Sequence, residues 1–133
     1  MATTRMELSV AADADAVWMV IGDFAAGPLR MAPERVTACE THGDTHTVAF
    51  ADGTVARERL VAIDDERRRI VYAVLGDTLR PEHDNASMQV LPVEEGACTL
   101  VWIHDVLPDE LADPIRSAMQ DASRVITAAL EGR

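Results

Sequence analysis

The sequence predicts an α+β domain: a seven-stranded curved antiparallel sheet wrapped around one long C-terminal helix, with two short helices after the first strand. Three observations predict it. Turn-forming residues recur at short intervals between Val36 and Val106, with strand-like segments between them. The segment from Asp109 to about Leu130 carries apolar residues at helical spacing. An alternating segment and a glycine-interrupted helical stretch precede both.

Each element has its own signal. From Arg5 to Val10, Met6, Leu8 and Val10 alternate with Arg5, Glu7 and Ser9, the pattern of a half-buried strand. Asp13 or Asp15 then offers a carboxylate to the free amides of a helix start. Val17, Val20, Ile21 and Phe24 follow at helical spacing, and Gly22 and Gly27-Pro28 break the segment into a short helix and a second turn near Leu29 to Met31. Turn signals at Gly43-Asp44, Asp52-Gly53, Asp64-Asp65-Glu66, Gly76 to Asp84 and Glu94-Glu95-Gly96 delimit strands Val36–Thr41, Thr45–Phe50, Val55–Ile63, Arg69–Leu75, Asn85–Leu91 and Ala97–Val106. Short connections make consecutive strands antiparallel neighbours, so these six form a meander. Pro108 closes the last strand, Asp109 is the expected N-cap, and Leu111, Ile115, Met119, Ala122, Ile126 and Ala129 form one stripe of the final helix. A single amphipathic helix after a seven-strand sheet buries its stripe on that sheet, and a twisted sheet curls around it.

Composition narrows the function classes. The 133 residues fit a single domain, 1–133. No apolar run approaches the roughly 20 residues that span a bilayer, and Met1 to Arg5 leads straight into the first strand without an apolar leader core. The expected location is cytoplasmic. A net charge of −11 repels phosphate backbones and anionic lipid, so neither nucleic acid nor membrane insertion is expected. All 12 basic residues are arginine, which removes lysine-imine chemistry. Cys39 and Cys98 lie far apart in apolar strand segments and read as reduced, buried thiols. No cofactor motif is present, and none is expected.

In this order the elements resemble the START-like (SRPBCC) superfamily, and within it the bacterial polyketide cyclase/dehydrase-like group. The matching words are Val17-Trp18 with Asp23-Phe24, Asp52-Gly53 with Glu58-Arg59-Leu60, Ile63-Asp64-Asp65, Tyr72 after a basic run, and Trp102 with Pro108. The chain reads Met31-Ala32-Pro33 where relatives often place a tryptophan before the proline, and Asn85-Ala86 where they often place a tyrosine. The resemblance implies the helix-grip fold and an internal cavity between sheet and helix. It implies a small hydrophobic or aromatic ligand, polyketide- or lipid-like, with polyketide cyclase/aromatase activity as the alternative. A protein that acts through a partner, including as a homodimer, is the third reading.

Strand alternation then nominates side chains for the concave face. Leu60 shares its face with Glu58 and Ala62. Tyr72 shares one with Ile70 and Val74, and Trp102 shares one with Leu100, His104 and Val106. Glu58, Tyr72 and His104 would be the polar groups of an apolar cavity, with His104 as base and Tyr72 or Glu58 as donor in a cyclisation or dehydration. Two other readings stand beside this: Glu58 paired with Arg57 or Arg59 and His104 a satisfied strand residue, or the same groups anchoring a ligand's oxygens without turnover. Trp18, Phe24, Leu60, Met88, Trp102, Met119 and Ala122 are the expected ligand-binding wall, with plain core packing as the alternative. His42 and His46 flank a hairpin turn where two imidazoles can meet, but no third metal ligand is evident nearby. His83-Asp84 reads as a loop at the cavity mouth, and Asp23 as a local cap. A continuous cavity of about 300 Å³ or more would support ligand binding, whereas a closed, fully packed core would speak against it.

Overall fold

The computed structural model describes residues 1–78 and 80–133. Its elements are β1 (Ala2–Val10), α1 (Ala14–Ile21), α2 (Gly27–Met31), β2 (Val36–His42), β3 (Thr45–Phe50), β4 (Val55–Asp64), β5 (Arg69–Asp77), β6 (His83–Glu94), β7 (Ala97–Leu107), a 3₁₀ turn (Asp109–Leu111) and α3 (Ala112–Leu130). All seven strands form one antiparallel sheet in the order β1-β7-β6-β5-β4-β3-β2. Strands β2 to β7 are therefore a plain meander, and β1 returns to pair with β7 along its whole length, from Ala2 opposite Val106 to Val10 opposite Cys98. Position 79, within the expected Gly76 to Asp84 turn, lies outside the described residues.

The inward face of the sheet carries the core. Leu8, Val10, Ile70, Met88, Val90, Leu100, Trp102 and Val106 pack against Val17 and Ile21 of α1 and Ile115, Met119 and Ile126 of α3. Their period of two on the strands, and of three or four on α3, is the same burial pattern written twice. Leu100 is fully buried, as are Val90 and Val106 on the same face of the sheet. Among the described residues no helix is long and apolar enough to cross a membrane.

Several local expectations are corrected. Asp13 does stand at the N-cap of α1, but its side chain makes no capping bond; Asp13 Oδ1 instead accepts the Gly96 N–H at 2.6 Å, tying the β6–β7 turn to the helix start. Asp109 begins a 3₁₀ turn and not the helix, whose N-cap is Leu111; its carboxylate pairs with the Met1 amine at 3.1 Å. His83 and Asp84 open strand β6 and are not a loop. In β4 the register shifts between Leu60 and Ala62, so Leu60 packs on the core while Ala62 is exposed. A bulge advances the alternation by one residue, which is why simple counting fails beyond it. Gly27 is required by a close approach: a Cβ there would lie 2.7 Å from the Val20 carbonyl oxygen, so α2 packs directly beneath the end of α1.

Candidate functional site

The strands and helices leave a cavity of about 160 Å³ between the concave face of the sheet, α2 and α3. Ile70, Tyr72, Met88 and Trp102 form its floor from β5, β6 and β7, and Ala122 and Ile126 face them from α3. Phe24, Pro28 and Met31 close one side, and Arg35, exposed, stands at the rim. The Ala-rich stripe of α3 explains part of the space: Ala122 presents only a methyl group where a larger residue would fill the gap. The volume is about half of the roughly 300 Å³ expected for a drug-sized ligand.

The polar groups of this cavity are few and tightly held. His46 is 2 % exposed; its ring stacks on Phe24 with centroids 3.8 Å apart and planes within 5°. Its Nδ1 lies 2.9 Å from the Phe24 carbonyl oxygen and its Nε2 lies 2.7 Å from Glu58 Oε1. A carbonyl can only accept, so Nδ1 carries a hydrogen. The short Nε2–Oε1 contact needs a further proton between a ring nitrogen and a carboxylate that would otherwise repel each other. Pairing across the β3–β4 ladder creates this contact, because His46 stands directly opposite Glu58. At the other side, the Trp102 Nε1–H donates to Tyr72 Oη at 3.3 Å. Asp23 Oδ1 accepts the Ala26 N–H at 3.0 Å, as its local-cap reading expected.

Tyr72 is the chain's one tyrosine. Burial, reinforced by the nearby Glu58 carboxylate, pushes its hydroxyl well above the ordinary value of 10. The folded protein thus favours the neutral phenol, and the stability this contributes is lost as pH rises past 10. An alkaline titration followed by near-ultraviolet phenolate absorbance reads Tyr72 alone. The expected outcome is that no phenolate forms at pH 10 while the far-ultraviolet circular dichroism remains native, and that phenolate appears only with unfolding. A reversible titration centred at pH 10 in the folded state would contradict the buried placement.

The residues nominated from the sequence divide into two groups. Glu58, Tyr72, Phe24, Met88, Trp102 and Ala122 line the cavity. His104, Trp18, Leu60 and Met119 are not among its lining residues. His104 Nδ1 is hydrogen-bonded to Asp84 Oδ1 at 2.7 Å, and both side chains are buried. Its ring meets Tyr72 edge-on with centroids 6.3 Å apart, a packing contact and not a hydrogen bond. Trp18 donates to Asp65 Oδ1 at 3.0 Å and covers Gly22. Met119 is core, with its Sδ accepting the Thr4 hydroxyl at 3.1 Å. Glu58 takes its partner from His46 and makes no ion pair with Arg57 or Arg59. His46 is the residue that sequence reasoning placed elsewhere: both its nitrogens are engaged inside, whereas His42 is exposed. Among the described residues no group of three or more His, Cys, Asp or Glu side chains is placed to hold a metal ion. Both cysteines are unpaired, and burial raises both thiols, Glu58 and Asp23 adding to the effect at Cys39.

A curved sheet that grips a helix over an apolar, partly polar cavity defines the helix-grip class. The chain belongs to the polyketide cyclase/dehydrase and lipid transport family, whose model matches residues 1–132. No curated protein matches the sequence. Among solved structures, one from Thermobifida fusca shares 31 % identity and superposes with a TM-score of 0.79, covering 98 % of this chain and 91 % of the other. The truncated norcoclaurine synthase of Thalictrum flavum shares 18 % identity at a TM-score of 0.73, with 99 % and 94 % covered. The di-domain aromatase/cyclase BexL of the BE-7585A biosynthetic pathway shares 19 % identity at a TM-score of 0.76, over 99 % of this chain and 46 % of BexL. At these identities the last two show a shared fold.

Proposed function

We propose that this protein binds a small apolar or aromatic molecule in the cavity between its sheet and α3. The observation that carries the reading is the lining itself: a largely hydrophobic and aromatic wall with a few fixed polar groups, Tyr72 and the His46–Glu58 pair among them. Ligand sites have this composition, because the wall supplies transfer energy while few polar atoms set orientation. The family match and the folds of norcoclaurine synthase and BexL support it. A second reading, a polyketide cyclase or aromatase, is favoured by one observation: Glu58 and Tyr72, a carboxylate and a protonated phenol, face the same cavity. A cytoplasmic location is part of the first reading and is supported by the two unpaired cysteines.

The test uses Trp102, which forms the cavity floor. The chain has two tryptophans, so Trp18→Phe leaves Trp102 as the reporter. Toluene is expected to change the emission of that variant saturably. Adding Ala122→Phe, which places a ring in the cavity from α3, is expected to abolish the response with little change in fold. A non-saturable response, or one that survives Ala122→Phe, would count against the cavity as the binding site.

A further inference from the structure

We propose that the ligand of this cavity is a neutral, single-ring aromatic molecule carrying one hydrogen-bond-accepting oxygen, and that Tyr72 donates to that oxygen. This rests on the reading of the cavity as a ligand site and narrows it to one chemical class.

Three independent observations converge on it. The first is size. An apolar cavity of about 150 Å³ takes one benzene ring, and this one measures about 160 Å³. The pocket opens toward solvent near Arg35, so the part enclosed between Ala122 and the floor formed by Met88 and Trp102 takes one ring, and a fused polycycle or a long acyl chain would extend out past the rim. The second is charge. The acidic groups of the lining are already engaged: Glu58 Oε1 is hydrogen-bonded to His46 Nε2, and Asp23 Oδ1 accepts the Ala26 N–H. Among the described lining residues Arg35 is the one arginine, and it is exposed at the rim. A carboxylate carried inward would lose its hydration and approach the acidic side chains Glu58 and Asp23, while both His46 ring nitrogens already have partners, a cost the apolar wall cannot offset.

The third is hydrogen-bond inventory. Tyr72 Oη accepts the Trp102 Nε1–H, and among the described hydrogen bonds nothing accepts the Tyr72 hydroxyl hydrogen. Burial keeps that hydrogen in place. The Trp102 contact fixes one side of the oxygen, so the free O–H is directed away from the indole. A buried donor of this kind is costly to leave unmade and discriminates for a ligand that supplies the acceptor. Trp102 therefore acts on the ligand through Tyr72, and the pair forms a donor relay at the cavity floor.

Isothermal titration with three probes of similar shape tests this: acetophenone (neutral, with a carbonyl), toluene (no oxygen) and benzoate (an anion). Acetophenone is expected to bind about tenfold more tightly than toluene, one good hydrogen bond's worth, and benzoate is expected to bind more weakly than either. Tyr72→Phe is expected to remove the preference for acetophenone while toluene still binds, which also shows that the variant is folded. Equal binding of acetophenone and toluene to the unaltered protein would overturn the proposal without any variant, and would leave the cavity as a ligand site. So would tightest binding of benzoate, or a preference that persists in Tyr72→Phe. Tighter binding of 2-acetylnaphthalene than of acetophenone would overturn the single-ring limit. If none of the probes binds, the reading of the cavity as a ligand site falls, and this inference falls with it.

Discussion

Replacing Asp84 with leucine is expected to destabilise the protein by about 3 kcal/mol. Asp84 and His104 are both buried, and their contact of 2.7 Å is the polar bond the structure gives to each side chain. Leucine removes the acceptor and leaves an imidazole N–H in the apolar core beside Trp102 and Tyr72. A polar group stranded in this way keeps its full desolvation cost. The double variant Asp84→Leu/His104→Leu removes both partners and is expected to recover most of the loss, because two apolar side chains of similar size need no partner. Urea unfolding of the two single variants and the double variant measures this. A double variant as unstable as the sum of the singles would show that the pair does not act as a unit.

The second large effect is expected at His46. His46→Leu should lower stability by about 2 kcal/mol, since the Phe24 carbonyl and Glu58 Oε1 each lose their hydrogen-bond partner. The stacked contact of the imidazole with Phe24 is lost as well. Glu58 is less deeply buried than Asp84, with 18 % of its side chain exposed, so water reaching it softens the penalty. Glu58→Leu alone is expected to cost less than His46→Leu, because the Phe24 carbonyl keeps its donor. The two substitutions combined should cost less than their sum. Independent, additive costs in a thermal unfolding series would contradict the pairing of His46 with Glu58.

The contrast between these two histidines shows what the sequence could reveal. The meander was legible because its turns are written in Gly, Asp and Glu at regular spacing, and β1 and α3 were legible from their periods. Contacts that depend on register were not. A two-residue turn at Asp52-Gly53 would set His46 opposite Arg59. The actual turn holds Ala51, Asp52 and Gly53, with Gly53 at φ 90 and the Phe50 N–H bonded to the Thr54 carbonyl, and it sets His46 opposite Glu58. One residue of turn length thus decides whether the imidazole meets a guanidinium or a carboxylate. The β4 bulge at Leu60 is equally silent in the sequence, and it sends Ala62 outward. Asp84 looked like a loop residue because Pro81 and the charged residues around it read as a turn, yet β6 begins at His83 and carries Asp84 inward.

Within the site, the aromatic wall was the legible part. Phe24, Met88 and Trp102 follow from alternation and helical spacing, and so do Glu58 and Tyr72. The volume was not legible, because it is a gap between α2, α3 and the sheet, and no segment encodes such a gap locally. Met31 lines the space, and a flexible thioether there fills less of it than an indole would.

Entry of a small apolar molecule between sheet and helix is tested most directly by intermolecular nuclear Overhauser effects between toluene and the methyl groups of the protein. Contacts are expected from the ring to Met88 and Ile126, which line the cavity, and to Ala122 across from them. None is expected to Leu91 or Val93, which are exposed on the outer part of β6. Contacts confined to Leu91 and Val93, or no contacts at saturating toluene, would contradict binding in the cavity.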